Sequence, residues 1–177
     1  MAKLPRTIET TREALAELAQ GAVFDATGAY RYRLWRQWSF TAPRIVFIML
    51  NPSTADASTN DPTIRRCIGF AQAWGYGGLE VVNLFALKAT QPTLLKEAID
   101  PIGADCDRHL LEAIKAADRT VLAWGNWGNL HGRDRAVLTL LAQRTELHCL
   151  GLTQAGQPRH PLYLKASTEP TVFSIQS

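Results

Sequence analysis

Four short apolar runs, separated by helical stretches, constrain the fold of this chain more than any other feature of its sequence. The strand-like runs cover residues 44–50, 79–84, 120–124 and 147–150, and the helical patterns cover 62–74, 94–99, 105–117 and 133–144. This alternation predicts an α/β fold, in which helices cover both faces of a mostly parallel four-stranded sheet in a three-layer α/β/α sandwich. Before this core, residues 9–20 predict an N-terminal helix and residues 22–40 a β-hairpin.

Composition is that of a soluble single-domain protein. The 177 residues are 46% apolar and 20% charged, which suits one domain over residues 1–177. No apolar run approaches the ~18 residues of a membrane span, and the first residues lack the apolar stretch of a secretory signal. With three scattered cysteines, we expect a cytoplasmic monomer with reduced thiols, no metal and no cofactor. The net charge of +3 permits DNA or a nucleotide as partner without requiring it.

Two asparagines lie where the predicted strands end, and parallel sheets bind ligands at the carboxyl ends of their strands. Asn51 follows the first run and precedes Pro52. It either caps the loop or orients a water molecule through its carbonyl oxygen. Asn83 interrupts the otherwise apolar second run, and a buried amide must bond either to neighbouring backbone or to a ligand. The residues alone leave both interpretations open.

His160 is the histidine best placed to act at that edge of the sheet. It follows the last predicted strand, in a segment where Gly156, Pro158 and Pro161 exclude regular structure. Histidine can donate a hydrogen bond or carry charge near neutral pH, which suits it to stabilising a developing anion. The alternative is a solvated loop side chain.

Several arginines could contact an anion. Arg65 and Arg66 lie one turn into a helix that Asp61 and a following proline predict, where they either bind an anion or face solvent. In the segment YRYRLWRQW, residues 30–38, strict alternation places Arg31 and Arg33 on one face with a tryptophan. That face belongs either to a half-buried hairpin strand or to a surface that contacts phosphate and bases.

At the level of the whole chain, four segments resemble an uncharacterised bacterial and phage family of domains of unknown function. The segments are LNPSTADA, DPTIRRC, WGYGGLEVVNLFALKAT and GQPRHPLYL, and the resemblance covers about residues 24–165. What is known of that family implies little about activity.

More distantly, the order of four motifs resembles the uracil-DNA glycosylase superfamily. The motifs are Leu50-Asn51-Pro52, Val82-Asn83-Leu84, Ala123-Trp124-Gly125 and His160-Pro161-Leu162. Those enzymes carry a water-activating Asp or Asn before a proline, an Asn at the end of the second strand, a strand running into Leu-Trp-Gly, and a His-Pro loop. Leu162-Tyr163 stands where their usual Ser-Pro would follow, and three cysteines cannot supply the four ligands of the iron–sulfur branches.

This resemblance implies a uracil-DNA-glycosylase-like fold whose pocket binds a nucleobase and whose activity is hydrolysis of an N-glycosidic bond in DNA or in a nucleotide. In this hypothesis Asn51 orients the attacking water, His160 stabilises the departing base, and Asn83 and Phe85 contact the base. A duplex substrate would also need a wedge that extrudes the base and a clamp on phosphate. The wedge candidates are Leu162 and Tyr163, and the clamp candidates are Ser53, Thr54, Arg159 and Lys165.

Two other functions fit the same residues. A binding module would keep the pocket and recognise a nucleotide or modified base without hydrolysing it, and the lack of a carboxylate at position 51 favours this alternative. An enzyme acting on free nucleotides would instead use Arg65 and Arg66 to grip the phosphate.

Overall fold

The structure, a computed structural model, describes residues 19–142 and 146–174. These described residues contain seven strands: β1 Gln20–Phe24, β2 Arg31–Gln37, β3 Arg44–Met49, β4 Gly78–Asn83, β5 Arg119–Leu122, β6 Leu147–Cys149 and β7 Thr171–Val172. The α-helices are α1 Pro62–Ala73, α2 Thr93–Glu97, α3 Cys106–Lys115 and α4 Arg133–Leu141, and 3-10 helices cover Asn126–Gly132 and Pro161–Tyr163. The helix predicted at residues 9–20 lies almost wholly outside the described residues, and Gln20 belongs to β1.

All seven strands form one mixed sheet in the order β1-β2-β4-β3-β5-β6-β7. The pairs β4–β3, β3–β5 and β5–β6 are parallel, whereas β1–β2, β2–β4 and β6–β7 are antiparallel. The prediction of a mostly parallel four-stranded sheet was therefore wrong in the number of strands, and only the four central strands pair in parallel. The predicted hairpin, β1 and β2, joins the edge of the sheet beside β4 instead of standing apart from it, and the two-residue β7 carried too little sequence signal to be recognised.

The central strand β3 shows why the chain forms a layered structure. Val46 and Ile48 pack into one cluster of buried residues, while Ile45, Phe47 and Met49 pack into another. The first cluster includes residues of α3 and α4, and the second includes residues of α1. Because successive side chains of a strand point to opposite faces, a strand covered on both faces must be apolar throughout. Helices thus cover both faces of this sheet.

Helix α1 begins as its sequence predicts. The side chain of Asp61 accepts a hydrogen bond of 2.8 Å from the backbone N–H of Ile64, and Pro62 occupies the first turn. This N-cap fixes Asp61 beside the carboxyl edge of the sheet. None of the helices within residues 19–142 and 146–174 has both the length and the apolar character needed to cross a membrane.

A bulge in the hairpin changes which way the arginines of β2 point. Val23 pairs with Arg33 but Phe24 pairs with Arg31, so Tyr32 is an extra residue in β2. The predicted alternation, with Arg31 and Arg33 on one face, is therefore wrong, because a bulge shifts the side-chain phase of a strand. Arg33 pairs with Glu80 and lies 3.6 Å from Glu112 of α3, whereas Arg31 donates to the carbonyl oxygen of Ala55 in the loop before α1.

Candidate functional site

A cavity of about 590 Å³ opens at the carboxyl ends of the central strands. Its wall includes residues that follow β3 and β5 and the last residue of β4. Strand β4 lies on one side of β3 and the next strand, β5, lies on the other, so the strand order reverses at β3. Open parallel sheets bind ligands at such a reversal. The lining residues are Arg31, Met49, Leu50, Asn51, Ser53, Asp61, Thr63, Ile64, Val81, Asn83, Ala89, Thr90, Pro92, Trp124, Gly125, Asn126, Trp127, His160, Leu162 and Tyr163.

Half of the predicted site residues line this pocket, although they are far apart in the sequence. Those that do are Asn51, Ser53, Asn83, His160, Leu162 and Tyr163. Those that do not are Thr54, Arg65, Arg66, Phe85, Arg159 and Lys165.

Phe85 lies in the protein core and not on the pocket wall. The strand was predicted to run to residue 84, but β4 ends at Asn83. In a continuous strand, the side chains of residues 83 and 85 would point to the same face. Because the chain turns after Asn83, the side chain of Phe85 points elsewhere. It is fully buried in the cluster beside α3 and α4 and meets His131 edge-on.

The predicted phosphate contacts divide into bonded and exposed side chains. Arg65 donates to the backbone oxygen of Asn60 at 2.6 Å, and Arg66 donates to the backbone oxygen of Leu164 while its guanidinium lies over Phe70. Arg66 therefore ties helix α1 to the loop that follows His160. Thr54, Arg159 and Lys165 are exposed and lie outside the pocket wall.

Asn83 is the most informative side chain of the pocket. It is 2% exposed, and neither its amide nitrogen nor its carbonyl oxygen has a hydrogen-bond partner among the described residues. Buried polar groups are almost always bonded, because leaving one unpaired costs ~1–3 kcal/mol. Its backbone is held separately, since the Cys106 thiol contacts the carbonyl oxygen of Asn83 at 3.4 Å. Asn83 thus presents a fixed, unpaired amide to the cavity.

Asn51 is oriented by its own hydrogen bonds. Its side-chain nitrogen donates to the backbone oxygens of Pro52, at 2.9 Å, and Ala89, at 2.8 Å. Because both bonds use the N–H groups, the side-chain carbonyl oxygen is the atom left to accept a hydrogen bond from a ligand or a water molecule.

His160 is held in one tautomer. Its Nδ1 accepts a hydrogen bond of 3.3 Å from the backbone N–H of Leu162, so in the neutral ring the proton resides on Nε2. Burial lowers the pKa of His160 from its ordinary value of 6.5, and the negative charge of Asp61 partly opposes this shift. The ring is therefore a neutral donor at neutral pH.

Glycine and tryptophan after β5 hold the His160 loop against the sheet. Gly125 has φ +74° and ψ −170°, a conformation that is essentially restricted to glycine, and its N–H donates to Pro158 at 2.8 Å. A Cβ at Gly125 would lie 3.5 Å from the Cβ of His160. The indole of Trp124 donates to the side-chain oxygen of Gln157 at 2.7 Å, a second contact to the same loop.

Arg31, Asp61 and Trp127 are among the lining residues that were not assigned to the site. Arg31 was considered only on a face shared with Arg33, which the bulge in β2 excludes, and Asp61 was assigned only as a helix cap although it also lines the cavity. Trp127 lines the cavity and is 40% exposed, and Tyr163, which also lines it, is 87% exposed. An exposed tryptophan in the glycine-rich segment after β5 was the available signal, since aromatic side chains stack on bases.

Neither a metal nor a disulfide is indicated at this site. The cysteines at positions 67, 106 and 149 are free and buried. Within residues 19–142 and 146–174, no group of three or more histidine, cysteine, aspartate or glutamate side chains is arranged to hold a metal ion.

The model of a protein family of unknown function, DUF1643, matches residues 31–162. The chain belongs to this family. The match begins at Arg31 and ends at Leu162, so it spans the pocket from its first lining residue to the His160 loop. No curated protein and no solved structure shows a significant match. The assignment agrees with the resemblance to an uncharacterised family, and the proposals below rest on the pocket itself.

Proposed function

We propose that this protein binds a nucleobase in the pocket and hydrolyses the N-glycosidic bond that joins the base to its sugar, within a uracil-DNA-glycosylase-like fold. The observation that carries the proposal is Asn83, a buried amide with both polar atoms unpaired on the wall of a cavity. An amide offers one acceptor and a donor group side by side, which matches the adjoining N–H and carbonyl of a base edge. The cavity volume of about 590 Å³ is also in the usual range for small-ligand sites.

Asn51 and His160 supply the two functions that hydrolysis needs. The free carbonyl oxygen of Asn51 orients a water molecule, whose oxygen bonds to the sugar carbon as the carbon–nitrogen bond breaks. The electron pair of that bond leaves with the base, and the Nε2–H of His160 stabilises the resulting negative charge by a hydrogen bond. The proton released by the water finally neutralises the base.

Exposed aromatic side chains at the pocket suit a base that enters from a nucleic acid or a nucleotide. Trp127 and Tyr163 both line the cavity and remain accessible to solvent. Stacking of an aromatic ring on a base contributes ~1–3 kcal/mol. These two rings and Leu162 are the proposed contacts to the rest of the substrate, and Ser53 is the proposed contact to its phosphate.

A binding module that hydrolyses nothing is the second candidate. Asn51 cannot act as a base, and one oxygen of the carboxylate on the pocket wall, Asp61, already accepts the N–H of Ile64. A pocket without a strong base favours recognition over turnover.

A panel of substrates separates the two functions. Oligonucleotides that carry uracil, thymine and altered bases, in single and double strands, are compared with the matching free nucleotides for both binding and release of free base. Release of base that is lost in Asn51→Ala and His160→Ala supports the glycosylase. Binding without release supports the module. Absence of both binding and release for every substrate contradicts the proposal.

A further inference from the structure

Among the residues that the structure describes, three arginines are buried, and one of them lacks the partners that the other two have. Arg36 is 5% exposed and donates to the backbone oxygens of Gly21, Trp35, Asp56 and Thr59 and to the side-chain oxygen of Asn60. Arg133 is 4% exposed and contacts Leu84, Cys106 and Asp107. Both guanidinium groups are accounted for by the protein.

Arg31 is the exception. It is 2% exposed, and the only hydrogen bond of its side chain among the described residues joins Nη1 to the carbonyl oxygen of Ala55 at 2.7 Å. Its Nε has no partner, and it makes no ion pair with any carboxylate of the described chain. A guanidinium has several N–H donors and is always charged near neutral pH, so burial without partners is costly.

This incompletely bonded guanidinium of Arg31 lies on the wall of the same cavity as Asn83. Arg31 is the first residue of β2 and directly precedes the bulge at Tyr32. The bulge turns the side chain of Arg31 toward the loop before α1. Burial lowers the pKa of Arg31 to about 10, an effect that the negative charges of Asp61 and Asp56 partly oppose. The side chain therefore remains charged at neutral pH, although the nearest pocket carboxylate, Asp61, does not pair with it.

We propose that the ligand of this pocket carries an anionic group, and that Arg31 binds this group inside the pocket. This inference rests on the proposed function in one respect, that the rest of the ligand is a nucleobase. Carboxylate and phosphate oxygens both match the fork of a guanidinium. The anion is therefore either an acidic substituent on the base or the phosphate of a free nucleotide.

Binding of small probes, measured by titration calorimetry, tests this inference. The probes are uracil, 5-carboxyuracil, deoxyuridine, deoxyuridine 5′-monophosphate and inorganic phosphate. In the wild-type protein we expect either the carboxylated base to bind more tightly than uracil, or the monophosphate to bind more tightly than the nucleoside. A charged hydrogen bond predicts a gain of about 10- to 100-fold. The first result places the anion on the base, and the second assigns it to a phosphate.

The variant Arg31→Met then identifies the residue responsible. We expect it to lose the gain for the anionic probe, to keep its affinity for the neutral one, and to unfold at a temperature equal to or above that of the wild type. Arg135→Met is the matched control, because Arg135 is exposed and lies outside this cavity. It should leave every affinity unchanged.

The possible outcomes distinguish this inference from the proposed function. Equal binding of neutral and anionic probes by the wild type overturns the inference, whether or not Arg31→Met folds. Equal loss of both affinities in Arg31→Met, with a lowered unfolding temperature, also overturns it, because Arg31 would then be structural. Binding of inorganic phosphate that depends on Arg31, without binding of any base probe, supports the anion site and contradicts the nucleobase proposal.

Discussion

The side-chain amide of Asn51 donates a hydrogen bond of 2.8 Å to the carbonyl oxygen of Ala89, 38 residues further along the chain. A second bond, of 2.9 Å, joins the same nitrogen to the carbonyl oxygen of Pro52. These bonds fix two loops at the edge of the pocket and determine which atom of Asn51 faces a ligand.

The substitution Asn51→Asp should destabilise the protein. It places a carboxylate oxygen against two carbonyl oxygens, and leaving buried polar groups unpaired costs ~1–3 kcal/mol. The free energy of unfolding, measured by urea denaturation, should fall by that amount. The control is Asn129→Asp at an exposed position. This substitution should change the free energy of unfolding by less than about 0.5 kcal/mol. If both variants are as stable as the wild type, the bonds of Asn51 do not hold the loops.

Asn83→Leu should stabilise the free protein while it weakens base binding. In the described structure the amide has no partner, so an apolar side chain of similar shape removes an unpaired buried group worth ~1–3 kcal/mol. The unfolding temperature should rise by about 2–4 °C for each kcal/mol. A lowered unfolding temperature would show instead that the protein itself satisfies the amide, and that Asn83 is a structural residue.

The stability of the protein should decrease as the pH falls below 6.5, partly because of His160. Burial lowers the pKa of His160 in the folded state from 6.5, so between these two values the unfolded chain binds more protons than the folded one. Stability then rises with pH across that window and falls as the pH decreases through it. The buried histidines His109 and His148 have pKa values lowered in the same direction.

Denaturation curves of the wild type and of His160→Gln, recorded between about pH 7.5 and pH 5 where histidine titrates, measure this contribution. The variant should lose less stability over this range than the wild type. The same acid sensitivity in both proteins would exclude a neutral His160 in the folded state.

Gly125→Ala should both destabilise the protein and reduce the proposed release of base. The dihedral angles of Gly125, φ +74° and ψ −170°, cost a non-glycine residue ~1–3 kcal/mol, and the loop that carries His160 packs directly against this position. Gly69→Ala is a suitable comparison, because this glycine lies within α1 with nothing within 4 Å of an added Cβ. That change should stabilise the helix by ~0.5–1 kcal/mol. Comparable effects at both positions would contradict the role of Gly125.

The sequence predicts where the pocket lies better than it predicts which residues line the pocket. Asn51, Asn83 and His160 line one cavity because they follow, or end, strands whose carboxyl ends meet at one edge of the sheet, a rule that needs only the order of the strands. The helix start at Asp61 was equally accessible, since an N-cap and a proline are local signals.

Arg31 and Phe85 show what could not be predicted. The bulge at Tyr32 changes the direction of the preceding side chain, Arg31. The end of β4 at Asn83 changes the direction of a later side chain, Phe85. One extra residue in a strand, or one residue fewer, exchanges pocket-facing and core-facing positions. Such shifts depend on tertiary pairing, which the periodicity of a single strand does not record.

The most direct test of the central claim is a titration of nitrogen-15-labelled protein with free nucleobases. It is followed by the side-chain amide resonances of Asn83 and Asn51 in the wild type and by that of Asn51 in Asn83→Leu. The account predicts that at least one base shifts both resonances in the wild type, while the resonance of the exposed Asn129 stays in place. Asn83→Leu should bind that base at least about tenfold more weakly, because a tenfold loss corresponds to one lost hydrogen bond. If no base among uracil, thymine, cytosine, adenine and guanine moves the Asn83 resonance of the folded protein, the pocket is not a nucleobase site.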